Sequence, residues 1–273
     1  MEYDRQAADR LGAEGRARRG GFFAPNFGWR PTQEEVDRPV NGYIHSIESM
    51  GLVDGPGVRA VVFLRGCRLR CRYCHNPDTW AAEGEATQAG ALVERLLRLR
   101  SYFDRSGGGV TFSGGEPLLQ PQFLLEALRL LKAKGIHTCL DTAGVGLGEY
   151  GEILSSTDLV LYDVKHWREE DYQNLTGREM SAAKTFEGAL ARSGKPVWVR
   201  HVVVPGLTDG EEHLAGLRAY VDRLPNVERV ELLPYHTMRT EKYEKLGCKP
   251  PLRGVEPMDR KRCQALQKKF FGN

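Results

Sequence analysis

The sequence lacks several features that would place it in a common class. It has no run of about 18 apolar residues, so a membrane span is not expected, and its N-terminus lacks the apolar core of a secretory signal. It also lacks a charge of one sign, because 39 lysines and arginines stand against 36 aspartates and glutamates. We therefore expect neither a membrane nor a nucleic acid as partner.

Cysteine is scarce and unevenly spread. Of six cysteines, three lie within eight residues, which does not resemble the framework of a disulfide-stapled secreted domain. This distribution favours a metal site in a reducing compartment and a cytoplasmic protein.

Residues 1–40 show no sustained period of two or 3.6 and contain three prolines in their second half. We predict a flexible N-terminal extension there, followed by one catalytic domain over residues 41–273. The cluster of Arg16, Arg18 and Arg19 leaves an organellar targeting peptide as an alternative, although the acidic residues Glu2, Asp4, Asp9 and Glu14 argue against it.

Short apolar or β-branched runs alternate with amphipathic stretches from residue 58 onward. This pattern is typical of strand-then-helix units around a parallel sheet, an α/β fold. The predicted strands are 59–64, 109–112, 137–140, 158–162, 197–204 and 230–233, and the predicted helices are 91–102, 122–134, 182–192 and 211–224.

Each predicted strand runs into polar, glycine or cysteine residues at its C-terminal end. In parallel α/β sheets and barrels, ligands bind at those ends. Although turn residues alone would explain any single cluster, six clusters at one edge predict a shared active site. The clusters are 66–67, 113–116, 141–142, 163–165, 204–206 and 234–236.

Three thiols, those of Cys67, Cys71 and Cys74, have C-x3-C-x2-C spacing in a loop rich in arginine. Cations favour the thiolate form, and soft thiolates at close spacing select zinc or an iron–sulfur cluster. A structural zinc site takes four protein ligands, and His75, next to Cys74, is poorly placed to be the fourth. Three cysteines on a four-iron cluster leave one iron free for another ligand.

This spacing, with an aromatic residue before the last cysteine, resembles the signature of the radical S-adenosylmethionine (radical SAM) superfamily. The flanking segments most closely resemble the pyruvate formate-lyase activating enzymes, a family of glycyl radical enzyme activases. The resemblance covers about residues 42–270 and rests on the segments 44–48, 53–59, 73–80, 107–111, 137–142, 197–200, 203–206 and 231–236.

The resemblance implies an incomplete (β/α)6 TIM-like barrel whose [4Fe-4S] cluster follows the first strand. It also implies cleavage of S-adenosylmethionine to methionine and a 5′-deoxyadenosyl radical, which takes hydrogen from a glycine of pyruvate formate-lyase. Reduced flavodoxin or ferredoxin would donate the electron, and the protein would be a monomer.

The resemblance also implies roles for individual residues. Cys67, Cys71 and Cys74 would ligate the cluster. Contacts to S-adenosylmethionine would come from Tyr73, Cys74, His75, Ser113, Gly114, Gly115, Asp163, Val164, Lys165, Arg200 and His236. A monovalent cation would bind Asp141, Thr142 and Asp163, since hard oxygen ligands suit such an ion.

Asp54 and Arg59 have two interpretations, either recognition of the partner's glycine loop or a turn that begins the first strand. Activation of a different glycyl radical enzyme is the alternative function, although residues 75–108 contain no cysteine and so lack the extra clusters of many such activases. A structural zinc or redox module is the alternative outside the enzyme class.

Overall fold

A computed structural model describes residues 40–238 and 240–272. Within them, one sheet has the strand order β3-β1-β2-β4-β5-β6-β7-β8. Strands β2 and β4 to β8 are mutually parallel, whereas β1 pairs antiparallel with both β2 and β3. The bounds are β1 Asn41–Gly51, β2 Arg59–Leu64, β3 Ala86–Gln88, β4 Gly109–Gly114, β5 His137–Thr142, β6 Leu159–Asp163, β7 Val197–Val203 and β8 Val227–Pro234.

Helices follow the parallel strands. They are α1 Ala89–Leu97, α2 Arg100–Ser106, α3 Pro121–Ala133, α4 Gly151–Ser155, α5 Glu169–Thr176, α6 Ser181–Ser193, α7 Glu211–Val221, α8 Glu241–Lys245 and α9 Arg260–Phe271. Helix α3 illustrates their packing: a proline begins it, and Phe123, Leu124, Ala127, Leu128 and Leu131 are buried on one face. No helix in the described ranges has the length and apolar character that crossing a bilayer requires.

The parallel strands inside the sheet are largely buried on both faces, which explains why their sequences are rich in apolar residues, whereas the edge strand β8 is only partly buried. In β2, Ala60, Val61 and Val62 are fully buried. Strands β3 and β8 are the two edges of the sheet in the described residues, so the barrel is open. The predicted α/β fold with an incomplete barrel of six parallel strands is confirmed.

Two features differ from the sequence prediction. The antiparallel strands β1 and β3 were not predicted, because β1 mixes polar residues with apolar ones instead of forming an apolar run. The single helix expected over 91–102 is two helices, separated by a turn at Arg98 and Leu99 that no glycine or proline marks. The predicted extension over residues 1–40 lies outside the described residues, apart from Val40.

Candidate active site

The three clustered cysteines lie in a cavity at the C-terminal ends of the parallel strands. Cys67 and Cys71 follow β2, and Cys74 is held by its backbone, because its N–H donates to the Cys71 carbonyl at 3.0 Å. The same cavity is lined by the predicted residues Tyr73, His75, Ser113, Gly114, Gly115, Asp141, Thr142, Asp163, Lys165 and Arg200.

Burial is the largest influence on the pKa of the thiols, whereas the sequence led us to expect the arginines of the cysteine loop to dominate. Burial raises the pKa of Cys67 to about 12 and also raises the pKa of Cys71 and Cys74. The cation that opposes this shift at all three thiols is Lys165. Binding a metal therefore has to displace protons from neutral thiols.

Arginine instead supports the loop through its backbone. The Arg70 guanidinium donates to the carbonyls of Cys67 and Leu69, both at 2.8 Å, and lies 4.6 Å from the centre of the Trp80 ring. Arg178 donates to the Arg68 carbonyl at 3.0 Å. These contacts fix the path of the loop that carries the thiols.

The arrangement of the thiols bears on the kind of metal group. No three histidine, cysteine, aspartate or glutamate side chains in the described part of the chain converge on a point where a single metal ion would sit. A four-iron cluster binds its thiolates through different iron atoms, so the sulfurs need not meet at one point. Three thiols match a four-iron cluster with one iron left open, whereas a structural zinc ion takes four protein ligands.

Gly114 and Gly115 line the cavity, but the groups that leave no room for a side chain at these positions are backbone atoms of the protein. A Cβ atom at Gly114, where φ is +116°, would lie 2.4 Å from the Leu64 nitrogen, and one at Gly115 would lie 2.3 Å from the Gly66 oxygen. The absent side chains thus let the loop after β4 pack against the end of β2 and the start of the cysteine loop.

Asp163 and Lys165 form an ion pair on the cavity wall. The carboxylate of Asp163 raises the pKa of Lys165 well above its usual range, although burial alone would lower it. One oxygen of Asp163, Oδ1, and the hydroxyl of Tyr73 are buried without a hydrogen-bond partner in the described residues. Buried polar atoms normally have partners, so these two atoms favour a polar ligand in the cavity.

Arg200 is buried in a network of acids. Its Nε donates to Glu231 at 3.1 Å, its Nη1 lies 3.5 Å from an oxygen of Asp54, and its Nη2 donates to the Val53 carbonyl. Burial alone would lower the pKa of Arg200, but Asp141, Glu231 and Asp54 raise it. Arg200 thus links the loop before β2 to the cavity.

The predicted cation ligands already bind protein groups. An oxygen of Asp141 accepts from the Ser113 hydroxyl at 2.6 Å, and the Thr142 hydroxyl donates to Glu116 at 2.5 Å. The Asp163 Oδ1 atom has no such partner among the described residues. A monovalent cation at this set stays a prediction.

Two histidines stack on each other where the main cavity adjoins a smaller pocket. The ring centres of His75 and His236 are 3.8 Å apart with nearly parallel planes, and His75 Nε2 donates to the His236 carbonyl at 3.0 Å. His236 lines a small adjoining pocket that shares Tyr73, Cys74 and His75 with the main cavity. Val164 is buried and does not line the cavity, and its N–H donates to the Arg200 carbonyl at 2.9 Å.

Arg59 is fully buried at the opposite end of β2 from the cysteines. It donates to Thr111 Oγ1 at 2.6 Å and to the carbonyls of Val110 and Pro56 at 2.7 and 3.0 Å. The Thr111 hydroxyl donates in turn to the Asp54 carbonyl at 2.6 Å. This geometry favours the turn interpretation for Arg59, whose guanidinium is out of reach of a partner.

Sequence reasoning missed residues that support the cysteine loop from a distance. Lys242, in α8, donates to Asn76 Oδ1 at 3.0 Å and to Asp78 Oδ1 at 2.9 Å. The Tyr243 hydroxyl donates to the Cys74 carbonyl at 2.9 Å. No pattern in the sequence signals these contacts, because more than 160 residues separate the partners.

Glu116, also missed as a site residue, is buried, and its carboxylate accepts hydrogen bonds from two loops. We call this arrangement the Glu116 clamp. One of its oxygens accepts from Thr142 and from the Leu118 N–H at 3.2 Å. The other accepts from the backbone N–H groups of Ala143 and Val145 at 3.0 and 3.5 Å. Its carboxylate therefore joins the loop after β4 to the loop after β5.

We expect Glu116→Gln to destabilise the fold, because the new amide N–H group faces donors and leaves buried groups unpaired. The expected loss in the free energy of unfolding is about 1–3 kcal/mol, measured by urea unfolding. Glu94→Gln, at an exposed position of α1, is the control and should change little. Equal stability of the two variants would contradict the clamp.

An open parallel barrel with three thiols at its ligand-binding edge defines a class of protein, the radical SAM proteins. The sequence model of the Radical SAM superfamily matches residues 61–217. Two solved structures are similar in fold alone. TYW1 with a lysine-pyruvate adduct bound has a TM-score of 0.54 at 14% identity, covering 79% of this chain and 73% of that one. Streptococcus suis SuiB bound to precursor peptide SuiA has a TM-score of 0.56 at 15% identity, covering 74% and 43%.

Curated relatives give the family. A pyruvate formate-lyase-activating enzyme of Clostridium pasteurianum is 55% identical over 230 residues, covering 84% of this chain and 97% of that protein. The enzyme of the same name from Streptococcus mutans is 46% identical over 235 residues, covering 82% and 89%. The chain therefore belongs to the pyruvate formate-lyase-activating enzyme family of the radical SAM superfamily.

The cofactors of this superfamily are a [4Fe-4S] cluster and S-adenosylmethionine, and the residues present suit both. Three thiols leave one iron of a cluster without a protein ligand. The buried Asp163 Oδ1 and the Lys165 ammonium offer an acceptor and a cation beside them, as an amino acid ligand requires.

Proposed function

We propose that this chain activates pyruvate formate-lyase by generating a glycyl radical on it. The observation that carries the proposal is that three thiols and the Asp163–Lys165 pair share one cavity at the strand ends. The names of the relatives, one of them 55% identical, support pyruvate formate-lyase as the protein substrate.

In this proposal Cys67, Cys71 and Cys74 hold the cluster. A bound and reduced cluster would supply the electron for cleavage of S-adenosylmethionine to methionine and the 5′-deoxyadenosyl radical that would take hydrogen from the partner's glycine. Lys165 and Asp163 bind the carboxylate and amino groups of the cofactor's methionine part. The stacked pair of His75 and His236 would bound its adenine.

The loop before β2 is the proposed contact for the partner. Leu52 and Val53 are 72% and 75% exposed, and Asp54 behind them binds Arg200 of the cavity. For the electron donor, we propose reduced flavodoxin or ferredoxin, acidic proteins that the exposed Arg68 and Arg70 would attract.

The test uses the full chain, reconstituted anaerobically with iron and sulfide, reduced, and mixed with S-adenosylmethionine and pyruvate formate-lyase. We expect the doublet of a glycyl radical in the electron paramagnetic resonance (EPR) spectrum. A pyruvate formate-lyase whose radical-bearing glycine is replaced by alanine is the control and should give no doublet. Formation of 5′-deoxyadenosine without a doublet would indicate a different glycyl radical enzyme. Failure to assemble a cluster would favour a zinc or redox module.

A further inference from the structure

Val164 separates the two charged residues of the cavity wall, and strand β7 holds both of its backbone groups. Its N–H donates to the Arg200 carbonyl at 2.9 Å, and its carbonyl lies 2.7 Å from His201 Nδ1. Side chains alternate along extended backbone, so Asp163 and Lys165 both face the cavity. His201, on β7, does not line the cavity and faces helix α7 instead. One buried imidazole thus holds the backbone between the two charges.

A second imidazole holds the first. His213, in α7, lies with its Nε2 atom 3.0 Å from His201 Nε2. The Val164 carbonyl only accepts, so His201 carries its proton on Nδ1 and its Nε2 is an acceptor. The donor to that acceptor is the Nε2–H of His213, which assigns the tautomers of both rings.

The surroundings keep this pair neutral and rigid. Burial lowers the pKa of His201 to about 4, and burial together with the His201 ring lowers the pKa of His213 to about 3. The Trp167 indole donates to the His213 carbonyl at 3.0 Å, and the His166 ring centre is 4.6 Å from that of His213. Both Trp167 and His166 belong to the segment that follows Lys165. Their contacts with His213 therefore hold this segment and the histidine pair in place relative to each other.

We infer that His213 and His201 form a positioning relay that sets the affinity for S-adenosylmethionine through Val164. Neither ring lines the cavity, so neither touches the cofactor. The relay links an outer helix to the backbone that orients Asp163 and Lys165. The inference rests on the proposed function, because it assigns the cofactor contact to this pair.

The test is a titration of cluster-loaded, reduced full chain with S-adenosylmethionine, followed by the change in the EPR signal of the cluster. His213→Leu is expected to weaken binding about tenfold, the size expected for one buried partner left unpaired. His213→Gln, whose amide N–H replaces the ring donor, should bind within about twofold of the wild type. Tyr220→Phe removes a hydrogen bond to Glu187 from the same helix and should leave the affinity unchanged.

The outcomes separate the two ideas. A wild-type protein whose cluster signal ignores S-adenosylmethionine would overturn both the proposed function and the relay. A wild-type response with unchanged affinity in His213→Leu would overturn the relay alone. If His213→Leu does not fold, ¹⁵N NMR of the oxidised, cluster-loaded chain decides instead. Nδ1–H on His201 and Nε2–H on His213 at pH 7 are expected, and the opposite tautomers or a charged ring would refute the relay.

Discussion

Cys74→Ala is expected to abolish cleavage of S-adenosylmethionine while the chain still folds. The thiol lines the cavity and belongs to no strand or helix, and the backbone bonds of residue 74 to Cys71 and Tyr243 do not need it. Loss of one thiolate leaves the cluster with two protein ligands. Iron and sulfide content after anaerobic reconstitution, together with the yield of 5′-deoxyadenosine, measures the effect.

A second buried cysteine provides the control. Cys139 lies in β5, fully buried and outside the cavity lining. Cys139→Ala should keep iron, sulfide and cleavage at wild-type levels and lower the free energy of unfolding by only about 1 kcal/mol through a small cavity. Cleavage at the normal rate by Cys74→Ala would refute the ligand assignment.

Lys165→Met is expected to lower the free energy of unfolding by about 3 kcal/mol, because it leaves the Asp163 carboxylate without its cation in a largely buried place. Adding Asp163→Asn should restore part of this loss, since the uncompensated charge disappears. Urea unfolding of the two single variants and the double variant measures the coupling.

Lys184→Met is the matched control. Lys184 pairs with Glu169 at 2.7 Å, but both side chains are more than half exposed. Its loss should lower the free energy of unfolding by at most about 1 kcal/mol. If Lys165→Met and Lys184→Met lowered the free energy of unfolding by similar amounts, the ion pair of Asp163 and Lys165 would be no more important for stability than an exposed pair.

Much of the fold followed from local sequence. Strands β2 and β4 to β7 were predicted because strands covered on both faces are rich in apolar residues, and β8 was predicted from its short apolar end, Val230 to Leu233. Strand β1 was not, since His45, Ser46 and Glu48 interrupt its pattern, and its place beside β2 depends on long-range pairing. Glu116 was seen as part of a strand-end cluster, but its four donors come from two loops that meet only in the folded chain.

By itself the sequence determined the chemistry of the metal group, because three soft ligands at short spacing need no tertiary structure to be recognised. Their protonation was decided by the tertiary structure, since the pKa of each thiol depends on burial and on Lys165, about 90 residues away. The tertiary structure also decided the burial of Arg59, which favours a structural role for it, and the contact of His201 with His213. Spacing along a chain specifies which groups are available, whereas only folding specifies the solvent and the charges around them.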